Sequence, residues 1–167
     1  MALQLTDDLT TDMSYAIYGS ASEFGPEDSS RQLSPTKIKP KYEARAIYEL
    51  LKGVGTKIFP VSSDVKRLGE DKAYFPLTAL PEPVDVLILS LRKELCTGAV
   101  EEAAAAGIRT IWFQPATDSP EALAVCASKG IRAIKGCALR HRTVSGLTRF
   151  ISPCFYMGLK SPKLPVK

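Results

Sequence analysis

The chain has 167 residues, 45% hydrophobic and 24% charged, with a net charge of +4. This length suits one domain with a core that needs no staple, and the composition excludes disordered, collagen-like and coiled-coil chains. The longest strongly apolar run, Val84 to Leu91, is broken by Asp85 and falls far short of the ~20 residues that span a bilayer, so no membrane partner is expected.

Residues 1–30 carry six acids and no base, and the opening shows no cationic leader, which points to a cytoplasmic location. The first predicted strand is Tyr15 to Tyr18. Gly19, Ser20, Ala21 and Ser22 follow, small residues whose exposed amides would let an anion approach the backbone. An ordinary tight turn is the other reading, since the full GxGxxG fingerprint is absent. A polar loop, Glu23 to Lys39, then runs to a helix that begins near Pro40, with Tyr42, Ala46, Ile47, Leu50 and Leu51 at helical spacing. Lys37, Lys39 and Lys41 cluster at its start, where each cation opposes the helix dipole by roughly 0.3 to 1 kcal/mol. A phosphate at that N-terminus would reverse the sign of the effect; three solvated lysines are the alternative.

The second strand, Lys57 to Val61, ends in Ser62 and Ser63, where a dinucleotide-binding domain places an acid for the ribose diol. Asp64, Lys66 and Arg67 lie just beyond, so this end suits a ribose phosphate; a plain Ser-Ser turn before a short helix competes with that. Between Gly69 and Pro83 the chain is irregular, with a short helix near Leu77 to Leu80. The third strand, Val84 to Leu91, ends in Leu89, Ser90, Leu91, Arg92 and Lys93, an apolar wall with a small polar group and two cations that suits an adenine edge and a phosphate. Leu95, Ala99, Val100, Ala103 and Ala104 mark the next helix. The fourth strand, Ile108 to Phe113, ends in Gln114 and Pro115, a rigid bend that would present Gln114 to a ligand amide, with Trp112 and Phe113 as core. Ser119 as N-cap, Pro120 at the first position and Gly130 after Lys129 frame another helix before the fifth strand, Ile131 to Lys135.

Strands alternating with helices predict an α/β fold: a Rossmann-like, doubly wound parallel five-stranded sheet with helices on both faces, in a single domain. Ligands then bind at the carboxyl ends of the strands.

Four cysteines, Cys96, Cys126, Cys137 and Cys154, form no CxxC pair and read as reduced thiols, with no metal site. His141 is the single histidine, and after Glu121 the chain has nine bases and no acid. No paired carboxylates or activated serine accompany the predicted pocket, so no catalytic residue is assigned.

The stretch Tyr15 to Ser22, the helix from Lys39 to Tyr42, Ile58 to Val61, Pro83 to Val86, Glu101 to Ala104 with Gly107, Ile111 to Gln114, and Cys137 with Leu139 before His141 together resemble the CoA-binding domain family. These are small Rossmann-like proteins related to the nucleotide-binding domain of the succinyl-CoA synthetase alpha subunit. The resemblance runs over residues 14–142 and leaves extensions at 1–13 and 143–167. It implies coenzyme A or an acyl-CoA as ligand. Gly19, Ser20, Ala21 and Ser22 with Lys39, Lys41 and Tyr42 would hold the pyrophosphate. Val61, Ser62, Ser63 and Lys66 would lie along the ribose and its 3′-phosphate, Leu89, Ser90, Leu91 and Arg92 along the adenine, and Gln114 with Pro115 near the pantetheine. The family commonly has Val-Asn-Pro where Val61, Ser62 and Ser63 stand. With no catalytic constellation in the chain, the expected function is non-catalytic binding of that ligand; a subunit of an acyl-CoA ligase working with an ATP-grasp partner and an NAD(P)-binding sensor are the alternatives. Phe150, Ile151, Phe155, Tyr156 and Met157 in the C-terminal extension would pack on the sheet, join subunits of a homo-oligomer or meet an acidic partner. Nucleic acid is not expected, because one short tail supplies too little basic density.

Overall fold

Five parallel strands form one sheet in the order β2-β1-β5-β6-β7, where β1 is Ser14–Gly19, β2 Lys57–Val61, β5 Val86–Ser90, β6 Thr110–Phe113 and β7 Arg132–Lys135. The computed structural model of the chain describes residues 12–26, 42–53 and 55–138. The helices are α1 (Ala21–Phe24), α2 (Glu43–Gly53), α3 (Lys93–Ala105) and α4 (Pro120–Ser128), with a 3-10 turn at Leu77–Ala79. This is the Rossmann-like, doubly wound α/β class that the sequence predicts.

The two faces follow from strand alternation. Tyr15, Ile17, Val86, Ile88, Trp112 and Ile134 turn to one side and pack beneath α2, whose Ala44, Ile47, Tyr48 and Leu51 repeat at three- and four-residue spacing. Ala16, Tyr18, Leu87, Leu89, Ile111 and Phe113 turn to the other, beneath α3 and α4. There Cys96, Ala99, Val100 and Ala103 form the buried stripe of α3. Each large side chain so buried contributes roughly 1.5 to 3 kcal/mol. α4 begins where its punctuation places it: the Ser119 hydroxyl accepts from the Ala122 amide at 3.0 Å, Pro120 follows, and Gly130 has φ 65° beyond the end.

The amino ends of β1 and β5 are tied by Asp85, whose Oδ2 accepts from the Ser14 amide at 2.9 Å and the Ser14 hydroxyl at 3.1 Å. The outer border of β2 is closed by the backbone of Tyr74. Its amide donates to the Pro60 carbonyl at 2.9 Å and its carbonyl accepts from the Ser62 amide at 3.0 Å. Pro60 thus turns its missing N–H outward, which is where a strand tolerates proline.

Two elements differ from expectation. The residues after Ser63 form no helix but a hairpin of β3 (Arg67–Leu68) and β4 (Asp71–Lys72), with Gly69 at φ 63° in its two-residue turn. The small residues after β1 do not stay an open loop: Ala21 to Phe24 coil into one helical turn. Lys37, Lys39, Lys41, His141, Cys154 and both terminal extensions lie outside the described residues, apart from Asp12 and Met13.

Candidate functional site

The strand order reverses between β1 and β5, because the chain leaves β1 for β2 on one side and then crosses to β5 on the other. In an open parallel sheet that reversal opens a crevice at the carboxyl ends. Gly19 and Ser90 are register partners there. Gly19 is required by its surroundings: a Cβ on it would stand 2.9 Å from the Ala44 Cβ and 3.1 Å from the Phe24 ring. The start of α2 and the α1 turn therefore close directly onto the end of β1.

The amides of the loop after β1 are engaged by carboxylates. Ser20 N–H donates to Glu23 Oε2 at 3.1 Å, and Ala21 N–H donates to Asp64 Oδ2 at 3.1 Å. Glu23 also accepts from the hydroxyls of Ser20 and, at 2.7 Å, Ser22. The expectation of amides open to an anion is thus modified: these two already carry negative partners supplied by the chain. At the end of β2, Ser62 is buried and bent back, donating to Asp64 Oδ1 at 2.7 Å and accepting from the Val65 amide at 3.2 Å. Partial burial pulls the Asp64 carboxyl upward, but the hydrogen bonds from Ser62 and the Ala21 amide outweigh it and hold the group below its usual range. Ser63 and Lys66 are exposed beside it.

Tyr42 is half-buried with its ring laid against Gly25, which has φ 72°; a Cβ there would come within 2.4 Å of the ring. Arg45, 3% exposed, fastens the same segment: its Nε donates to the Phe24 carbonyl at 2.6 Å and its Nη2 to the Pro26 carbonyl. Sequence reasoning missed Arg45, Glu23 and the Ala21 to Asp64 link. The Ser20 to Glu23 spacing of a capping pair was the signal available for the turn.

The third strand end is divided by the sheet. Leu89 and Leu91 are buried beneath α3 together with Val61, and serve as core. Ser90 faces the α2 side, and Arg92 is exposed at the start of α3. Gln114 is fully buried, its backbone N–H donating to the Leu89 carbonyl at 3.1 Å, while Pro115 is half-buried. Trp112 donates from Nε1 to the Gly136 carbonyl at 2.8 Å and is core, as expected. Cys96, Cys126 and Cys137 are buried and form no disulfide with one another. Burial first, then the Glu94 and Asp118 charges, push the Cys96 thiol up to about 11. No helix among the described residues is long and apolar enough to cross a membrane.

These features define a doubly wound domain whose strand order reverses between β1 and β5. The chain belongs to the CoA-binding domain family, whose pattern it matches over residues 36–142. That match begins after β1 and its loop, later than the resemblance read from Ser14 onward. A hypothetical protein from Pyrococcus horikoshii OT3 superposes with a TM-score of 0.62 at 20% identity, covering 83% of this chain and 93% of that one. Prb, described as PH1109 protein redesigned for binding, gives 0.62 at 19% identity over 77% of this chain and 80% of its own. A conserved hypothetical protein from Pyrococcus furiosus gives 0.55 at 20% identity, over 71% and 90%. At these identities the likeness is one of fold.

Proposed function

We propose that this protein binds coenzyme A or an acyl-CoA at the carboxyl ends of β1, β2, β5 and β6, and holds it without transforming it. Membership of the CoA-binding domain family, in a sheet whose reversal point lies between Gly19 and Ser90, carries this reading. The exposed cations Lys66, Arg92 and Lys93 at the same end of the sheet support it, since charge-assisted contacts to phosphate contribute roughly 1.5 to 3 kcal/mol each. The non-catalytic part rests on Glu23 and Asp64, the carboxylates that meet the loop after β1, being tied to backbone amides rather than free to move protons.

Isothermal titration of the full chain with CoA, dephospho-CoA and NADPH tests it. CoA should bind, with dephospho-CoA markedly weaker. Equal affinity for those two would remove the ribose-phosphate role of Ser62, Ser63 and Lys66. Binding of NADPH without CoA would replace the reading by a dinucleotide sensor, and thioester formation with an added ATP-grasp protein would make the chain a ligase subunit.

A further inference from the structure

Ser90 and Gln114 stand on neighbouring strand ends, one rung beyond the Leu89 and Phe113 pair. Alternation puts both on the α2 face: Val86 and Ile88 precede Ser90 there, and Trp112 precedes Gln114. Their backbones therefore stand about one strand spacing, ~4.8 Å, apart. Gln114 is 0% exposed and Ser90 2%. The Ser90 Oγ and both side-chain amide atoms of Gln114 have no hydrogen-bond partner, and they make up three of the four such buried atoms among the described residues. The fourth, Thr56 Oγ1, precedes the first residue of β2, at the opposite end of the sheet.

Buried polar atoms are nearly always paired, so three orphans in one spot mark a place whose partner comes from outside the chain. The chemistry of that partner is constrained. An alkyl group would leave all three atoms unpaired. A phosphate would lose its water beside Trp112, Ile134 and Phe24, and Arg45, the buried cation of this side, already donates to the Phe24 and Pro26 carbonyls. A neutral group that both donates and accepts hydrogen bonds can pair with the Gln114 amide and leaves Ser90 free to give or take a further bond.

We infer that Ser90 and Gln114 together form one neutral subsite that reads such a donor-and-acceptor group of the bound ligand. This rests on the CoA reading above, and in CoA the group is either a pantetheine amide or the adenine edge. Sequence reasoning assigned the two residues to different parts of the ligand; the register makes them one site.

The test uses Gln114→Leu and Ser90→Ala in the full chain, with melting temperature and isothermal titration against CoA and adenosine 3′,5′-bisphosphate. Gln114→Leu should weaken CoA binding roughly ten-fold and Ser90→Ala less, without lowering the melting temperature, since an orphan polar group has been removed. Bisphosphate affinity held within about two-fold would assign the group to the pantetheine arm; an equal loss for both ligands would assign it to the adenine. Wild-type affinity for CoA in both variants overturns the subsite while leaving the CoA reading intact. A lowered melting temperature with unchanged affinity overturns it in favour of an internal partner such as a buried water. Failure of the wild-type chain to bind CoA overturns the underlying reading, and the subsite with it.

Discussion

The amide of Ala21 donates to the carboxylate of Asp64 across 43 residues of sequence, at 3.1 Å, joining the loop after β1 to the turn after β2. A carboxylate therefore stands where a ligand phosphate would use the same backbone. Asp64→Asn removes that charge yet keeps an oxygen acceptor for the amide. With about 6 Å between charges in a water-like dielectric, the relief is roughly 0.7 kcal/mol, so the variant should bind CoA about three-fold more tightly by titration. Unchanged or weaker binding would place the phosphates elsewhere along the strand ends.

Acid should destabilise the fold through three carboxylates held below their usual range. In Asp64 and Asp71 partial burial pulls upward and is outweighed, in the first by Ser62 and the Ala21 amide, in the second by Lys52 and Tyr48; in Asp118 the Lys135 ammonium, 2.8 Å away, leads. At a given pH below about 4 the unfolded chain binds more protons than the folded one, so stability is present above the unfolded value and lost as pH falls through the folded values. Melting temperature followed from pH 7 to pH 3 should show the loss, and Asp71→Asn should flatten its acid side. A curve for that variant parallel to wild type would mean that Asp71 titrates as it does in the unfolded chain.

Two glycines with positive φ should respond differently to alanine. Gly55, at φ 84°, has nothing within 4 Å of a built Cβ, whereas at Gly25, at φ 72°, the Tyr42 ring is 2.4 Å away. Gly55→Ala should cost about 1 kcal/mol from backbone strain, and Gly25→Ala more, roughly 2 to 3 kcal/mol. Trp112, the single tryptophan and fully buried, reports urea unfolding in both. Equal midpoints would show that the Tyr42 ring moves aside without cost.

Arg45→Met keeps the length of the side chain and removes the donors to the Phe24 and Pro26 carbonyls. One buried and one part-buried carbonyl contact to a charged donor predict a loss of about 2 to 4 kcal/mol, again read by urea denaturation. A loss below about 0.5 kcal/mol would reduce Arg45 to packing alone.

Cys96, Cys126 and Cys137 should resist iodoacetamide in the native protein at pH 8, because all three are buried and burial raises the Cys96 and Cys126 thiols above their ordinary value. Peptide mapping by mass spectrometry checks this. Rapid labelling of Cys137 would instead show that its thiol opens to solvent in the native protein.

The five strands were legible because each is an apolar, β-rich run of four to eight residues closed by turn residues, and α4 because Ser119, Pro120 and Gly130 mark both its ends. The one turn of α1 and the two-residue strands β3 and β4 are shorter than any period and left no pattern to read. The site was half legible. Ser90 and Gln114 stood out as polar residues closing apolar strands, but their union depends on β5 lying beside β6 with a particular register, which no local spacing encodes. Asp64 stood out as an acid displaced from its customary place at the end of β2. That it answers the Ala21 amide follows from β2 lying beside β1.

The Tyr74 segment that seals Pro60 and Ser62 makes one flank of the protein mute toward backbone recognition. A foreign strand that docks by extending the sheet finds the carboxyl half of the β2 margin already answered by the chain itself. Contact with other macromolecules along that half of the margin therefore falls to side chains, and specificity there is a matter of surface chemistry rather than of main-chain pairing.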